Sequence, residues 1–301
     1  MNYYNEIKKE LINNETYKRV KDYSKNKSDL TTYYNVGKLL VEAQGGQKRA
    51  KYGDSLIKEY SRKLMVELNK KYSERNLRNM RQFYIKFNDE IWNAVRTKLT
   101  WTHYRELLFI DDFNKINYYI DISIKQNLSS RELHDKIKNN EYERLPEETK
   151  EKLVNKKDVK IKDFIKNPIL IKNSYNYEGP SEKVLKQLIL EDIDNFLKEL
   201  GEGFSYIENE YKIKLGDRYN YIDLLLFNYK YNCFVVVELK VTELKKEHIG
   251  QIETYMNYVD KNIKTINQDK TIGIIIVRKD NKFIMEYVSD ERIYRTEYIL
   301  I

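Results

Sequence analysis

The sequence is poor in residues that build disulfide or zinc frameworks. Its 301 residues include one cysteine, Cys233, and three isolated histidines, His103, His134 and His248. A single cysteine excludes a disulfide within the chain, and no familiar zinc-site spacing joins it to these histidines. We therefore expect a cytoplasmic protein without a structural zinc site.

Long apolar runs and an acidic excess are also missing. No stretch approaches the roughly 20 apolar residues of a transmembrane helix, and the N-terminus, MNYYNEIKKELINNE, is too polar for a signal peptide. The sequence therefore predicts no membrane-embedded part. The formal net charge of +8 favours an anionic partner, for which nucleic acid, an anionic membrane and an acidic protein all qualify.

The first half of the chain has the periodicity of helices. Residues 2–142 contain no convincing strand, so we expect a helical domain over residues 1–145. The segment from Tyr72 to Phe87 predicts a helix that Ser73 caps. Its buried stripe would be Leu77, Met80, Tyr84 and Phe87. Its other side carries the arginine, lysine and amide groups that contact phosphates and base edges: Arg75, Arg78, Asn79, Gln82 and Lys86.

The positive charge is concentrated around this helix. Residues 47–86 contain 12 Lys or Arg and 4 Asp or Glu. Two helices joined by a tight turn, the second rich in Arg, Asn and Gln, suggest a helix-turn-helix-like DNA-binding domain. A solvated basic face on a helical bundle is the alternative.

The second half alternates helices and strands. We expect a charged linker over residues 146–173 and an α/β domain over residues 174–301. The predicted elements are a helix from Ser181 to Leu200, a strand from Phe204 to Leu215, a β-hairpin from Tyr221 to Val241, a helix from Thr242 to Asn262, a strand from Thr271 to Val277, and edge strands from Phe283 to Val288 and from Ile293 to Leu300.

Three charged residues interrupt the apolar strands of the hairpin. Asp223 lies in its first strand, and Glu238 and Lys240 share one face of its second strand. Pairing about the turn near Lys230 would put Asp223 opposite or diagonal to Glu238. An internal ion pair with Lys240 would offset the cost of these charges. The alternative is a divalent cation, with Mg²⁺ preferred and Mn²⁺ as a substitute, beside which Lys240 orients the attacking water.

The strand order and these residues resemble the PD-(D/E)xK nuclease superfamily. The acids lie 15 positions apart, in Asp223 and Glu238-Leu239-Lys240, on the second and third strands of an αβββαβ core. Gln251 and Tyr255, in the next helix, resemble the Q-x-x-x-Y motif of RecB-like nucleases. The resemblance implies that Asp223, Glu238 and the Leu239 carbonyl hold the metal, that Lys240 assists the water, and that Gln251 and Tyr255 position the substrate strand.

The superfamily usually adds an acid from its first core helix. Glu182 is the first choice, because the start of that helix is expected at the active edge. Glu191 and Glu199 remain alternatives within the helix, as do Glu178 and Glu202 outside it.

Nearly the whole chain resembles the YhcG-like PD-(D/E)xK nucleases. The segments that carry this likeness are Tyr33–Lys38, Arg49–Gly53, Ser73–Tyr84, Leu99–Tyr104, Tyr142–Leu145 and Tyr221–Leu225. One departure is Ile222, which replaces the proline that gives the superfamily its name. The resemblance implies a nuclease domain behind a helical domain that binds DNA.

The sequence therefore predicts a Mg²⁺-dependent nuclease that cleaves DNA. Two alternatives remain open: a non-catalytic DNA-binding or assembly subunit that retains the nuclease fold, and a nuclease for structured RNA. A monomer and a homo-oligomer are equally compatible with the sequence.

Overall fold

The structure, a computed structural model, describes residues 2–20, 25–46, 50–68, 72–87, 99–155, 157 and 160–301. The chain divides into two compact units, Met1–Tyr142 and Glu143–Ile301. The first is helical, and the second is built on a mixed β-sheet. The predicted fold class, an α domain followed by an α/β domain, is therefore confirmed.

The described part of the first unit consists of helices. They are α1 (Tyr3–Val20), α2 (Lys25–Ala43), α3 (Ala50–Glu67), α4 (Glu74–Lys86), α5 (Trp101–Leu107), α6 (Phe113–Lys125) and α7 (Ser130–Lys138). None of the helices in the described residues is both long and apolar enough to cross a bilayer.

Local signals in the sequence begin these helices. Ser73 caps α4 as predicted, because its hydroxyl accepts a hydrogen bond from the Asn76 N–H. The buried stripe of α4 contains Phe83 in place of the predicted Tyr84, which is only half-buried. The Phe83 ring lies 5.1 Å from that of Tyr104 and so links α4 to α5.

The second unit carries the sheet. Its elements are α8 (Glu147–Val154), a 3₁₀ turn (Ile161–Phe164), β1 (Ile169–Ile171), α9 (Glu182–Glu191), α10 (Ile193–Leu200), β2 (Phe204–Leu215), β3 (Arg218–Asn228), β4 (Cys233–Glu243), α11 (Lys246–Asn262), β5 (Asp269–Lys279), α12 (Lys282–Glu286) and β6 (Ile293–Leu300). The six strands lie in the order β1-β6-β5-β4-β3-β2. β2, β3 and β4 are antiparallel, whereas β4, β5, β6 and β1 are parallel.

Helices cover both faces of this sheet. α9 and α10 pack on one face and α11 packs on the other. β5 lies in the middle and is buried on both faces, which explains its unbroken apolar run TIGIIIV. This sandwich fixes β3 and β4, the strands that carry the predicted acids.

The alternation of β3 is broken next to Asp223. Leu224 and Leu226 face α9 and α10, whereas Ile222 and Leu225 face α11. Two residues three positions apart share a face only if the strand is irregular between them. Glu210, which lies opposite Asp223 between two regular pairs of β2 and β3, has a positive φ of 51°. The sheet is therefore distorted where the polar residues enter it.

Residues 146–173, predicted as a charged linker, lie within the second unit instead. β1 pairs with β6, and the buried Thr149 hydroxyl donates a 2.9 Å hydrogen bond to the Asp163 carbonyl. Charged side chains of this segment form ion pairs within the unit, for example Lys152 with Asp163 at 2.9 Å. Charge density alone does not distinguish such a segment from a solvated linker.

Three other predicted elements differ in extent or type. The helix predicted over 181–200 is two helices, because Asp192 leaves the helical backbone conformation (φ −134°, ψ 47°). β4 continues to Glu243, so α11 begins at Lys246 rather than at Thr242. The short helix α12 occupies most of the predicted edge strand at 283–288, since periodicity does not separate helix from strand in so short a run.

Candidate active site

The β3–β4 hairpin brings Asp223 and Glu238 together. The regular pairing of its strands ends at Leu224 and Val237, the sequence neighbours of the two acids. Beyond that pair the carboxylates contact the facing backbone. Asp223 Oδ2 accepts a 3.0 Å hydrogen bond from the Leu239 N–H, and Glu238 Oε1 lies 3.5 Å from the Asp223 nitrogen. The two acids therefore form one cluster.

Glu238 is buried in this cluster, with 1% of its surface exposed. Burial raises the pKa of its carboxyl group from 4.5 to about 7, and the charge of Asp223 adds to the rise. Lys240 acts in the opposite direction, because its Nζ lies 3.2 Å from Glu238 Oε2. Lys240 thus only partly offsets the effects of burial and of Asp223 on the Glu238 carboxyl group.

Lys240 connects the strand to helix α9. Its Nζ lies 3.9 Å from Oε2 of Glu182, the first residue of α9, which Ser181 caps as predicted. Burial lowers the pKa of Lys240, but Glu238, Glu182 and Asp223 outweigh that effect and raise it. Among the predicted helix acids, the structure therefore brings Glu182 to the cluster.

The other candidate acids have different surroundings. Glu199 forms a 2.5 Å ion pair with Arg144, and Glu191 accepts a hydrogen bond from the Tyr175 hydroxyl. Glu202 pairs with Lys230 at the β3–β4 turn. Glu178 is exposed in the loop before α9. These contacts favour Glu182 over each of them.

Sequence reasoning missed two members of the cluster, Lys186 and Glu210. Lys186 Nζ lies 3.2 Å from Asp223 Oδ1 and 2.9 Å from Glu210 Oε1. Burial lowers the pKa of Lys186, but its two acidic partners raise it overall. Lys186 follows Glu182 by one helical turn, so a search for charged residues on that face of α9 could have found it. Glu210 gave no such signal, because an acid on an exposed strand is common.

Gln251 and Tyr255 lie on one side of α11, and the Gln251 side-chain amide donates a 3.1 Å hydrogen bond to the Tyr255 hydroxyl. Tyr255 is buried. Burial raises the pKa of its hydroxyl and the bond from Gln251 lowers it, while Glu238, Lys240 and Asp223 lie close enough to act on it. The motif predicted from sequence therefore borders the acidic cluster.

The donor set of the cluster fits a hard divalent cation. In the described parts of the chain, no group of three His, Cys, Asp or Glu side chains has metal-binding geometry. Asp223 and Glu238 nevertheless offer paired carboxylate oxygens, and Mg²⁺ commonly takes one or two carboxylates and fills its other positions with water and substrate oxygens. Burial, and after it the charge of Asp223, raises the pKa of Glu238, and a cation bound there would offset both effects.

Five residues of helix α4 are expected on its exposed side as contacts to nucleic acid, and the structure buries two of them. Arg75 and Arg78 are exposed and Gln82 is half-buried, although Arg78 forms a 2.8 Å ion pair with Glu74. Asn79 and Lys86, predicted on the exposed side, are buried.

The burial of Lys86 has a local cause. Its ammonium group donates hydrogen bonds to the carbonyls of Leu108, at 2.6 Å, and Ile110. Lys86 thus ties the end of α4 to the chain after α5. Part of the basic segment 47–86, namely 47–49 and 69–71, lies outside the described residues.

Two family descriptions match the chain, one in each half. Residues 162–299 match the YhcG PDDEXK nuclease domain, which contains every member of the acidic cluster. Residues 7–144 match the DUF1016 N-terminal domain. The two matches follow each other in the order that the sequence resemblance implies.

The chain is also similar to individual proteins. "Putative nuclease YhcG" from Escherichia coli (strain K12) is 24% identical over 282 residues, which cover 81% of this chain and 75% of that protein. A repair endonuclease from Pyrococcus abyssi covers 41% of this chain at 20% identity (TM-score 0.30), and EndoMS in complex with double-stranded DNA covers 42% at 18% identity (TM-score 0.31). The matched region spans about half of each of those two solved chains, at 49% and 48%. The two domain matches and their order show that the chain belongs to the YhcG-like family of PD-(D/E)xK nucleases, with a helical DUF1016 domain before the nuclease domain.

Proposed function

We propose that this chain is a metal-dependent nuclease that hydrolyses phosphodiester bonds in DNA. The observation that carries the proposal is the meeting of Asp223, Glu238 and Lys240 at one end of the β3–β4 hairpin. A buried and a half-buried carboxylate beside a lysine are costly in an apolar sheet, and a catalytic role accounts for their presence. The family of the chain supports the same reaction.

Each residue would have a distinct role. Asp223 and Glu238, with the Leu239 carbonyl, would hold Mg²⁺ or Mn²⁺, which supplies Lewis-acid activation of water and charge neutralisation at the phosphate. Lys240 would orient the attacking water and stabilise negative charge on the attacked phosphate. Glu182 would act as an outer ligand, since it reaches the cluster beside Lys240. Gln251 and Tyr255 would hold the substrate strand against α11.

A cleavage assay with matched variants tests the proposal. Plasmid and linear DNA would be incubated with the full chain in EDTA, Mg²⁺ or Mn²⁺. We expect cleavage only with metal, and a loss of about 100-fold or more in Asp223→Asn and Lys240→Met. Asp269→Asn and Lys270→Met, exposed at the opposite end of the sheet, are the controls and should cleave normally. Equal cleavage by Asp223→Asn and the wild type would overturn the proposal.

The same assay separates the two rival functions. A faster reaction on structured RNA than on DNA would identify an RNA nuclease. DNA binding without cleavage of either nucleic acid under any metal condition would identify a non-catalytic subunit.

We also propose that the helical domain contacts DNA phosphates through α4. Arg75, Arg78 and Gln82 carry this proposal, whereas the burial of Asn79 and Lys86 removes them from it. Binding would weaken steeply as salt rises, because phosphate contacts release counterions. We expect Arg75→Ala with Arg78→Ala to weaken binding and to reduce the salt slope by about 2. Arg131→Ala, exposed on α7, is the control, and an unchanged slope in the double variant would contradict the proposal.

A further inference from the structure

Near its turn, the β2–β3 hairpin packs one face against the core and exposes the other face to solvent. Ile213 and Ile222 are buried in the core that α11 covers, and Tyr211 and Leu215 pack partly against it. The opposite face consists of two cross-strand pairs, Lys212 with Tyr221 and Lys214 with Tyr219. All four of these side chains are exposed, Tyr219 by 56% and Tyr221 by 52%. We call these four residues the tyrosine–lysine face.

The chemistry of the tyrosine–lysine face fits an unstacked nucleic-acid strand. Aromatic rings stack on the flat faces of bases, and lysines bind the phosphates between them. Lys212 Nζ lies 3.9 Å from the centre of the Tyr219 ring and Lys214 Nζ lies 6.0 Å from it, so both ammonium groups lie close to one of the two rings. Residues 211–221 contain three Lys or Arg and one acid, Asp217 at the turn. The charge therefore suits a polyanion.

The tyrosine–lysine face leads directly to the candidate active site. Tyr221 lies two residues before Asp223 on β3, and Tyr219 lies roughly 13 Å from Asp223 at the usual rise of a strand. Lys186 and Glu210 stand at the junction, where they contact each other and Lys186 contacts Asp223. A strand bound along this face would therefore approach the acidic cluster from the turn of the hairpin.

We propose that the tyrosine–lysine face binds an unpaired DNA strand and that the nuclease centre acts on DNA with a single-stranded segment beside the cleaved bond. A duplex presents base edges in its grooves and keeps the base faces stacked, so it cannot use the two rings in this way. The substrate class would then include overhangs, flaps and gaps. This inference rests on the proposed function for its catalytic part, but its binding part stands independently.

Binding measured in EDTA tests the inference without cleavage. Fluorescence anisotropy would compare a labelled single strand with its blunt duplex, at a salt concentration that suppresses phosphate contacts made elsewhere on the chain. We expect Tyr219→Leu with Tyr221→Leu to weaken single-strand binding at least about tenfold and duplex binding by less than about twofold. Tyr219→Phe with Tyr221→Phe should retain binding, because the rings remain.

Tyr229→Leu is the matched control, because this tyrosine is 64% exposed at the β3–β4 turn, the opposite end of β3 from Tyr219. It should bind both ligands normally, and the melting temperatures should show that all variants fold. An unchanged affinity of the double leucine variant for single strands would overturn the inference. So would an equal loss for strand and duplex, which would indicate a groove or phosphate contact. Absence of cleavage with this binding pattern intact would count against the proposed function alone.

Discussion

At the scale of single residues, Glu238 shows how the site departs from ordinary packing. Burial and the adjacent Asp223 raise the pKa of its carboxyl group to about 7, while Lys240 supplies a counter-charge. The folded protein without metal therefore holds a proton on Glu238 over a pH range in which the unfolded chain has lost it. Such a group favours folding fully below pH 4.5, and this contribution is lost as the pH rises towards 7.

Glu238→Gln should remove this pH dependence. In EDTA, the unfolding free energy of the wild type minus that of Glu238→Gln should fall by roughly 3 kcal/mol between pH 4.5 and 7.5. Urea denaturation of both proteins across this pH range measures the difference. Contributions from titrating groups that the two proteins share cancel in it. A difference that is flat or rises with pH would contradict the raised pKa.

Lys186 supplies the second counter-charge of the site, since its Nζ lies 3.2 Å from Asp223 Oδ1. This positive charge would oppose a cation bound at Asp223 and Glu238. We expect Lys186→Met to tighten Mg²⁺ or Mn²⁺ binding by about tenfold, measured by calorimetry without DNA. Lys183→Met, exposed on the same helix, should change it less. Unchanged or weaker binding in Lys186→Met would contradict this role.

At the scale of elements, the sequence predicts what local chemistry determines. Ser73 and Ser181 cap their helices as predicted, because a cap needs only the next turn of the same helix. The β3–β4 hairpin also follows from its own residues. The pairing of β1 with β6 joins distant parts of the chain, such as Ile169 and Tyr298, so no short-range pattern reveals it.

The contact between α2 and α4 is determined by Gly37. A Cβ atom at this position would collide with the backbone carbonyl of Met80. Only a shift of the backbone could relieve the collision, and such a shift is energetically costly. We expect Gly37→Ala to lower the unfolding free energy by about 1–3 kcal/mol, measured by urea denaturation. Gly250→Ala is the control, since nothing lies within 4 Å of its added Cβ, and this helical position should gain up to about 1 kcal/mol. Equal stability of Gly37→Ala and the wild type would show that the helices can separate freely.

At the scale of the whole molecule, the sequence predicts the two-part fold and most of the side chains that the structure brings together. Asp223, Glu238 and Lys240 lie in one hairpin, so strand geometry alone brings them together. Glu182 and Lys186 come from α9, and only the packed sheet decides which side chains of that helix reach the hairpin. The same limit applies to Lys86, whose burial depends on carbonyl groups more than 20 residues away. Net charge predicts a partner class, but it does not identify the exposed charges.

The proposed activity requires one cation site between the carboxylates of Asp223 and Glu238. Crystals of the full chain soaked in Mn²⁺ would test it directly by anomalous diffraction. We expect an anomalous peak that contacts both carboxylates in the wild type and is lost in Asp223→Asn. A Mn²⁺ peak elsewhere in a protein that cleaves DNA with Mn²⁺, and none between these two carboxylates, would contradict it.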